Sequence, residues 1–133
     1  MYLDEVPNDP PIDYRLDDRL DEQPSPHPRV ILYRIVQEAL TNARKHSAAR
    51  TVWVQLEERD GGYVIQVRDD GKGFDPGVQT VPGHLGLPAM RERADLAGGW
   101  FRIESAPGDG TVVEAWIPAL DEAEEPLPEL AVG

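Results

Sequence analysis

Leu32-Tyr33-Arg34-Ile35-Val36-Gln37-Glu38-Ala39-Leu40-Thr41-Asn42-Ala43-Arg44-Lys45-His46 decides how the rest of the chain is read, because as a helix this stretch separates packing from chemistry. At about 100° per residue, Leu32, Val36, Ala39, Leu40 and Ala43 form one apolar stripe, and Glu38, Asn42, Lys45 and His46 gather on the adjoining sector. Ile31 and Ile35 lie within that polar sector, where contact with water would cost free energy. An acid, an amide, a base and an imidazole sharing a surface with isoleucines describe the wall of a ligand pocket, with the apolar stripe packed on a sheet. The same spacing also suits a solvated face with i, i+4 pairs, so the helix alone leaves both readings open.

Composition narrows the classes. The 133 residues are one domain's length, and 40% hydrophobic content is enough for a single core. A formal net charge of -12, with no concentrated basic patch, argues against binding nucleic acid through its phosphates. The absence of cysteine excludes a disulfide framework and a thiolate metal site and fits a cytosolic protein. No apolar run is long enough to span a bilayer, and the acidic N-terminus lacks the basic-then-apolar order of a signal peptide. A cytoplasmic chain without membrane contact of its own is therefore expected.

Charge and proline mark the boundaries. Residues 1–28 hold Pro7, Pro10, Pro11, Pro24, Pro26 and Pro28 among many acids, and residues 119–133 are again acidic, so both flanks read as poorly ordered. Within the first flank, Ile12-Asp13-Tyr14-Arg15-Leu16 alternates and suits an edge strand. The compact unit is drawn at 29–118, about 90 residues.

Inside it, Val52, Val54 and Leu56 alternate with polar neighbours, Asp60-Gly61-Gly62 turns, and Tyr63, Ile65 and Val67 alternate again, which predicts a hairpin. Leu87, Met90, Ala94 and Ala97 recur at helical spacing until Gly98-Gly99. A last hairpin pairs 101–104 with 111–117 across Pro107-Gly108-Asp109-Gly110. This order predicts an α+β fold, with a helical layer on one sheet. Trp53, Trp100 and Trp116 all fall on predicted strands and read as sheet residues.

Two glycine-rich turns fall where a segment changes type, at Asp69-Asp70-Gly71-Lys72-Gly73-Phe74 and at Gly83-His84-Leu85-Gly86. Glycine there lets a ligand approach the main chain, and the second turn opens a helix whose free N–H groups suit a phosphate. Neither fits the P-loop or a full dinucleotide fingerprint, and glycine-containing turns taken singly are far more often just turns.

Taken in order, the segments resemble the ATP-binding catalytic domain of sensor histidine kinases, in the superfamily that also includes gyrase, Hsp90-type chaperones and MutL. Glu38 to His46 resembles the N box, Asp69 to Phe74 the G1 box, and Gly83 to Leu87 with Met90-Arg91-Glu92-Arg93-Ala94 the G2 box of kinases that serve NarL- or LuxR-type response regulators; Gly110-Thr111 matches a further nucleotide-side element. The resemblance implies a two-layer α/β sandwich of the Bergerat type, with helices on one face of a mixed, mainly antiparallel sheet. It also implies ATP and Mg²⁺ as ligands.

By that resemblance, Asp69 accepts a hydrogen bond from the adenine amine, beside Gly71 and Gly73. Asn42 ligates Mg²⁺, and Glu38, the catalytic carboxylate, orients a metal-bound water or assists proton removal. Lys45 and His46 face the phosphates, Gly83, His84, Leu85 and Gly86 wrap them, Ile35 and Leu87 flank the purine, and Thr111 adds a hydroxyl. The segment from Asp75 to Pro82 would be a short ATP lid, and the glycine-and-phenylalanine box of many other kinases is not evident.

The implied reaction carries the γ-phosphoryl group to a histidine on a dimerising helical hairpin. His27 stands between Pro26 and Pro28, which keeps it out of a helix interior, and His46 and His84 belong to the nucleotide boxes. The chain is thus expected to be a monomer that binds ATP but autophosphorylates poorly, with the hairpin domain and a response regulator as partners. A serine kinase of the anti-sigma-factor type and a non-catalytic nucleotide-binding module remain as alternatives. The run Met90-Arg91-Glu92-Arg93 favours the sensor-kinase type over the serine kinase.

Overall fold

In the computed structural model the described residues are 11–45, 48–75 and 87–119. A strand β1 (Asp13–Asp18) leads into helix α1 (Pro26–Lys45), then β2 (Thr51–Arg59), β3 (Gly62–Asp69), helix α2 (Leu87–Leu96), β4 (Trp100–Ser105) and β5 (Thr111–Pro118). The strands form one sheet in the order β1-β2-β3-β5-β4. Only β1 with β2 is a parallel pair among these; the others are antiparallel. That follows in part from the connections: neighbouring parallel strands need a crossover and α1 supplies it, short turns join β2 to β3 and β4 to β5, and β3 meets β5 only after the chain has passed through α2 and β4.

Helix α1 starts earlier than the 29–118 boundary. Ser25 stands at the N-cap position, and its carbonyl accepts the first helical N–H, from Arg29, at 3.1 Å. Pro26 and Pro28 therefore occupy the first turn, where a missing N–H costs nothing because no carbonyl lies upstream to receive it. His27 shares that first turn, outside the helix interior. At the far end Arg44 and Lys45 meet the negative end of the helix dipole.

The core lies between the helices and one face of the sheet. Leu32, Ile35, Val36, Ala39, Leu40 and Ala43 of α1, with Leu87, Met90 and Ala94 of α2, pack on Val52, Val54, Ile65, Val67, Val113, Ala115 and Ile117. Ile35 therefore belongs to the packing stripe and not to an exposed polar sector; on a helix it lies only about 40° from Ala39. Helix α2 ends in a Schellman motif: Gly99 N–H reaches Ala94 O at 2.9 Å and Gly98 N–H reaches Asp95 O at 3.0 Å, with Gly98 at φ +85°.

The opposite face carries Trp53, Trp100 and Trp116. Arg68 stacks over Trp53 at 4.2 Å, and Trp116 donates its indole N–H to Arg59 O at 2.8 Å. Among the described residues no helix is long and apolar enough to cross a membrane.

Candidate functional site

The chemistry gathers where β3 ends. Alternation along β3 turns Val67 and Asp69 toward the helices and Arg68 away, so the carboxylate arrives at the inner face as the strand stops. Asp69 is 8% exposed, and its Oδ1 accepts the Gly71 N–H at 2.8 Å. Its register partner on β5 is Thr111, also 8% exposed. From α1, Asn42 faces the same place. A narrow cleft is lined by Asn42, Asp69 and Thr111 with Ala39, Val67, Phe74, Ile103 and Val113. Three polar side chains from three elements thus converge among apolar walls, which is the arrangement of a small-molecule site.

Asp70, one residue on, does something different. Its Oδ1 accepts the N–H groups of Arg50 at 2.8 Å and Thr51 at 3.0 Å, so it braces the start of β2. The Thr51 N–H holds the Asp70 carboxyl below the usual range, burial opposes this, and the Arg50 N–H adds to it. The acidic pair of the G1 turn therefore divides into one cleft residue and one structural brace.

The turn itself is clasped from across the sheet. Gly108 N–H reaches Lys72 O at 2.6 Å, and Phe74 N–H reaches the Ser105 hydroxyl at 2.9 Å. Ser105 in turn meets Gly110 O at 2.8 Å and Thr111 Oγ1 at 3.0 Å. These approaches need glycine. A Cβ on Gly73, at φ +66°, would stand 2.1 Å from Ala106 O, and one on Gly110, at φ +73°, would stand 2.2 Å from Asp69 O.

The remaining sequence-predicted site residues are spread more widely. Glu38 is half-buried one turn before Asn42, and Lys45 is exposed in the last turn of α1; neither lines the cleft. Ile35 and Leu87 are core residues, and the apolar walls are supplied by Ala39, Val67, Phe74, Ile103 and Val113. Gly71 lies in the turn, half-buried. His46, Gly83, His84, Leu85, Gly86 and the lid from 76 to 82 lie outside the described residues. Reading sequence alone missed Ser105, which no periodicity marks, and the wall strands, which their alternation could have indicated.

For Mg²⁺ the donor chemistry fits. Asn42 can offer its amide oxygen and Glu38 its carboxylate, on successive turns of one helix, and a hard cation shared with phosphate oxygens needs few protein ligands. Among the described residues no group of three or more His, Cys, Asp or Glu could hold a metal by itself. A roomier groove of about 340 Å³, walled by Leu16, Leu20, Leu32, Tyr33, Val36 and Leu56, opens between β1 and the first half of α1 and contains none of the motif residues.

Residues 28–121 match the family model described as histidine kinase-, DNA gyrase B-, and HSP90-like ATPase. The chain belongs to this family. A relative from Brevibacillus brevis, the signal transduction histidine-protein kinase/phosphatase DegS, is 40% identical over 72% of this chain and 25% of its own length. The sensor histidine kinase YdfH of Bacillus subtilis is 34% identical over 86% of this chain and 28% of its own. This ATPase-family chain thus spans about a quarter of the curated relatives it matches. Among solved structures, the histidine kinase domain of the Erythrobacter litoralis EL346 blue-light activated histidine kinase superposes with a TM-score of 0.67 at 24% identity, covering 81% of this chain and 52% of that one. The catalytic domain of histidine kinase ThkA gives 0.65 at 17% identity, covering 81% and 78%. The mixed five-stranded sheet with helices on one side is therefore the histidine kinase ATPase fold. ATP is the ligand that membership in this ATPase family implies, and both of these curated relatives are named as histidine kinases.

Proposed function

We propose that this domain binds Mg-ATP in the cleft of Asn42, Asp69 and Thr111 and donates the γ-phosphoryl group to a histidine on a separate dimerisation domain of a two-component sensor kinase. The observation that carries the reading is the convergence of Asn42 from α1, Asp69 from β3 and Thr111 from β5 on one cleft. Asp69, held by the Gly71 N–H through one oxygen, keeps acceptor capacity for the adenine amine. Asn42 and Glu38 would hold Mg²⁺, which when bound neutralises charge on the phosphate oxygens. Lys45 offsets further negative charge at the helix end, and His46, with Gly83, His84, Leu85 and Gly86, completes the phosphate surroundings. Ile35 and Leu87, which the resemblance sets beside the purine, are buried in the core and are not among the walls of this cleft.

In the transfer, the bond from the γ-phosphorus to the bridging oxygen breaks as a bond to an imidazole nitrogen forms, leaving ADP. Placement and charge neutralisation do most of the work, so a domain without its acceptor can bind nucleotide and still turn over little. The downstream partner is a response regulator, a reading supported by likeness to the histidine kinases DegS and YdfH, and its NarL or LuxR type is supported by the Met90-Arg91-Glu92-Arg93 run within α2.

The test mixes the chain with a purified hairpin domain bearing a histidine, Mg²⁺ and γ-labelled ATP. Acid-labile, alkali-stable phosphate on the hairpin is the expected product. Phosphate that survives acid and is lost in alkali would identify a serine kinase instead. No transfer despite tight nucleotide binding would favour a binding module.

A further inference from the structure

Ser105 has one proton and several neighbours, and counting hydrogens decides which way each bond runs. Its Oγ lies 2.8 Å from Gly110 O, a carbonyl that can only accept, so the serine proton goes there. Phe74 N–H donates to the same Oγ at 2.9 Å. The remaining contact, 3.0 Å to Thr111 Oγ1, has either atom as donor on distance alone, but the serine proton is already committed. Thr111 must donate. Its hydroxyl hydrogen therefore points at Ser105, and what Thr111 offers the cleft is lone pairs.

Asp69 stands beside it in the β3–β5 register and, ionised, also only accepts. We infer that Ser105 is a positioning residue that fixes the Thr111 hydroxyl as an acceptor, so that the Asp69–Thr111 wall selects purines with an amino group at position 6 over those with an oxo group there. A 6-amino group has two N–H donors, one for each acceptor. A 6-oxo group would set its lone pairs against both. The inference rests on the nucleotide-binding reading, in which Asp69 already takes the adenine amine, and adds to it the residue that orients a second acceptor beside it.

Removing the Ser105 hydroxyl frees the Thr111 proton to turn into the cleft, where it can donate to a 6-oxo group. The experiment is calorimetric titration of ADP and of IDP into the chain, Ser105→Ala, Ser105→Thr and Thr111→Val, with thermal unfolding of each to confirm folding. The parent is expected to prefer ADP. Ser105→Ala should narrow the ADP-to-IDP ratio by about five- to tenfold, the worth of one hydrogen bond, while Ser105→Thr keeps the ratio. Thr111→Val, which removes the acceptor with little change of shape, should narrow it as well and serves if Ser105→Ala does not fold. A Ser105→Ala chain that loses ADP and IDP affinity equally, or neither, would reduce Ser105 to a structural clasp and overturn the proposal. Failure of the parent to bind either nucleotide would instead overturn the nucleotide reading itself, and this proposal with it.

Discussion

The two turns that flank β3 are both rich in Asp and Gly, yet they work by different physics. At the β2–β3 end, Asp60 and Gly61 take φ of 55° and 74°, and a Cβ on Gly61 would meet nothing within 4 Å. That glycine serves only the backbone twist of a two-residue hairpin. At the other end of β3, Gly73 is in the same left-handed region but is also pressed against Ala106 O, and Gly110 is pressed against Asp69 O. There the missing side chain makes room for two loops to interlock, and the interlock is what holds Asp69 and Thr111 in the cleft. One turn closes a strand pair, and the other builds a site.

The largest expected effect separates the paired acids of the second turn. Asp69→Asn should weaken ADP binding by about 100-fold or more, because an amide placed there can present a donor where an acceptor is needed. Asp70→Asn, whose carboxylate braces β2 outside the cleft, should leave affinity within about twofold. Calorimetry on both variants checks this, and equal losses would erase the distinction between them.

Next come the glycines. Gly110→Ala should cost about 3 kcal/mol or more in a denaturant titration and carry nucleotide affinity down with it, since backbone must move to admit the methyl group. Gly61→Ala should cost about 1 kcal/mol, the ordinary penalty for a side chain at positive φ, and leave affinity unchanged. If Gly61→Ala proved the more damaging, the interlock would not be the stabilising feature.

The smallest effect is one of pH. The native state holds the Asp70 carboxyl below its unfolded value, so its contribution is present above about pH 4 and is lost as pH falls through the depressed native value. Thermal unfolding between pH 6 and pH 2 should show the parent losing more stability on acidification than Asp70→Asn. Parallel curves would mean that the amide bonds to Asp70 contribute nothing.

Much of the fold was readable in advance for local reasons. Both hairpins, α2 and the long helix through Asn42 follow from periods of two and 3.6 and from Gly-containing turns, which act over a few residues. The alternation Val67, Arg68, Asp69, Asp70 already places Asp69 inward and Asp70 outward. Less legible was the start of α1, because prolines that end a helix when interior are tolerated in its first turn, and the sequence does not say which position they hold until Ser25 is seen as the cap.

By itself, then, the sequence determined most of the segments that are helix and strand, because these depend on side chains a few positions apart. Only the tertiary structure decided that Ile35 serves the core, that Phe74 and Ile103 wall the cleft, that Asp70 reaches back to Arg50 and Thr51, and that Ser105 joins Phe74 to Thr111. Those roles come from pairs brought together across the sheet, 31 residues apart for Ser105 and Phe74, and no local period encodes a meeting of that kind.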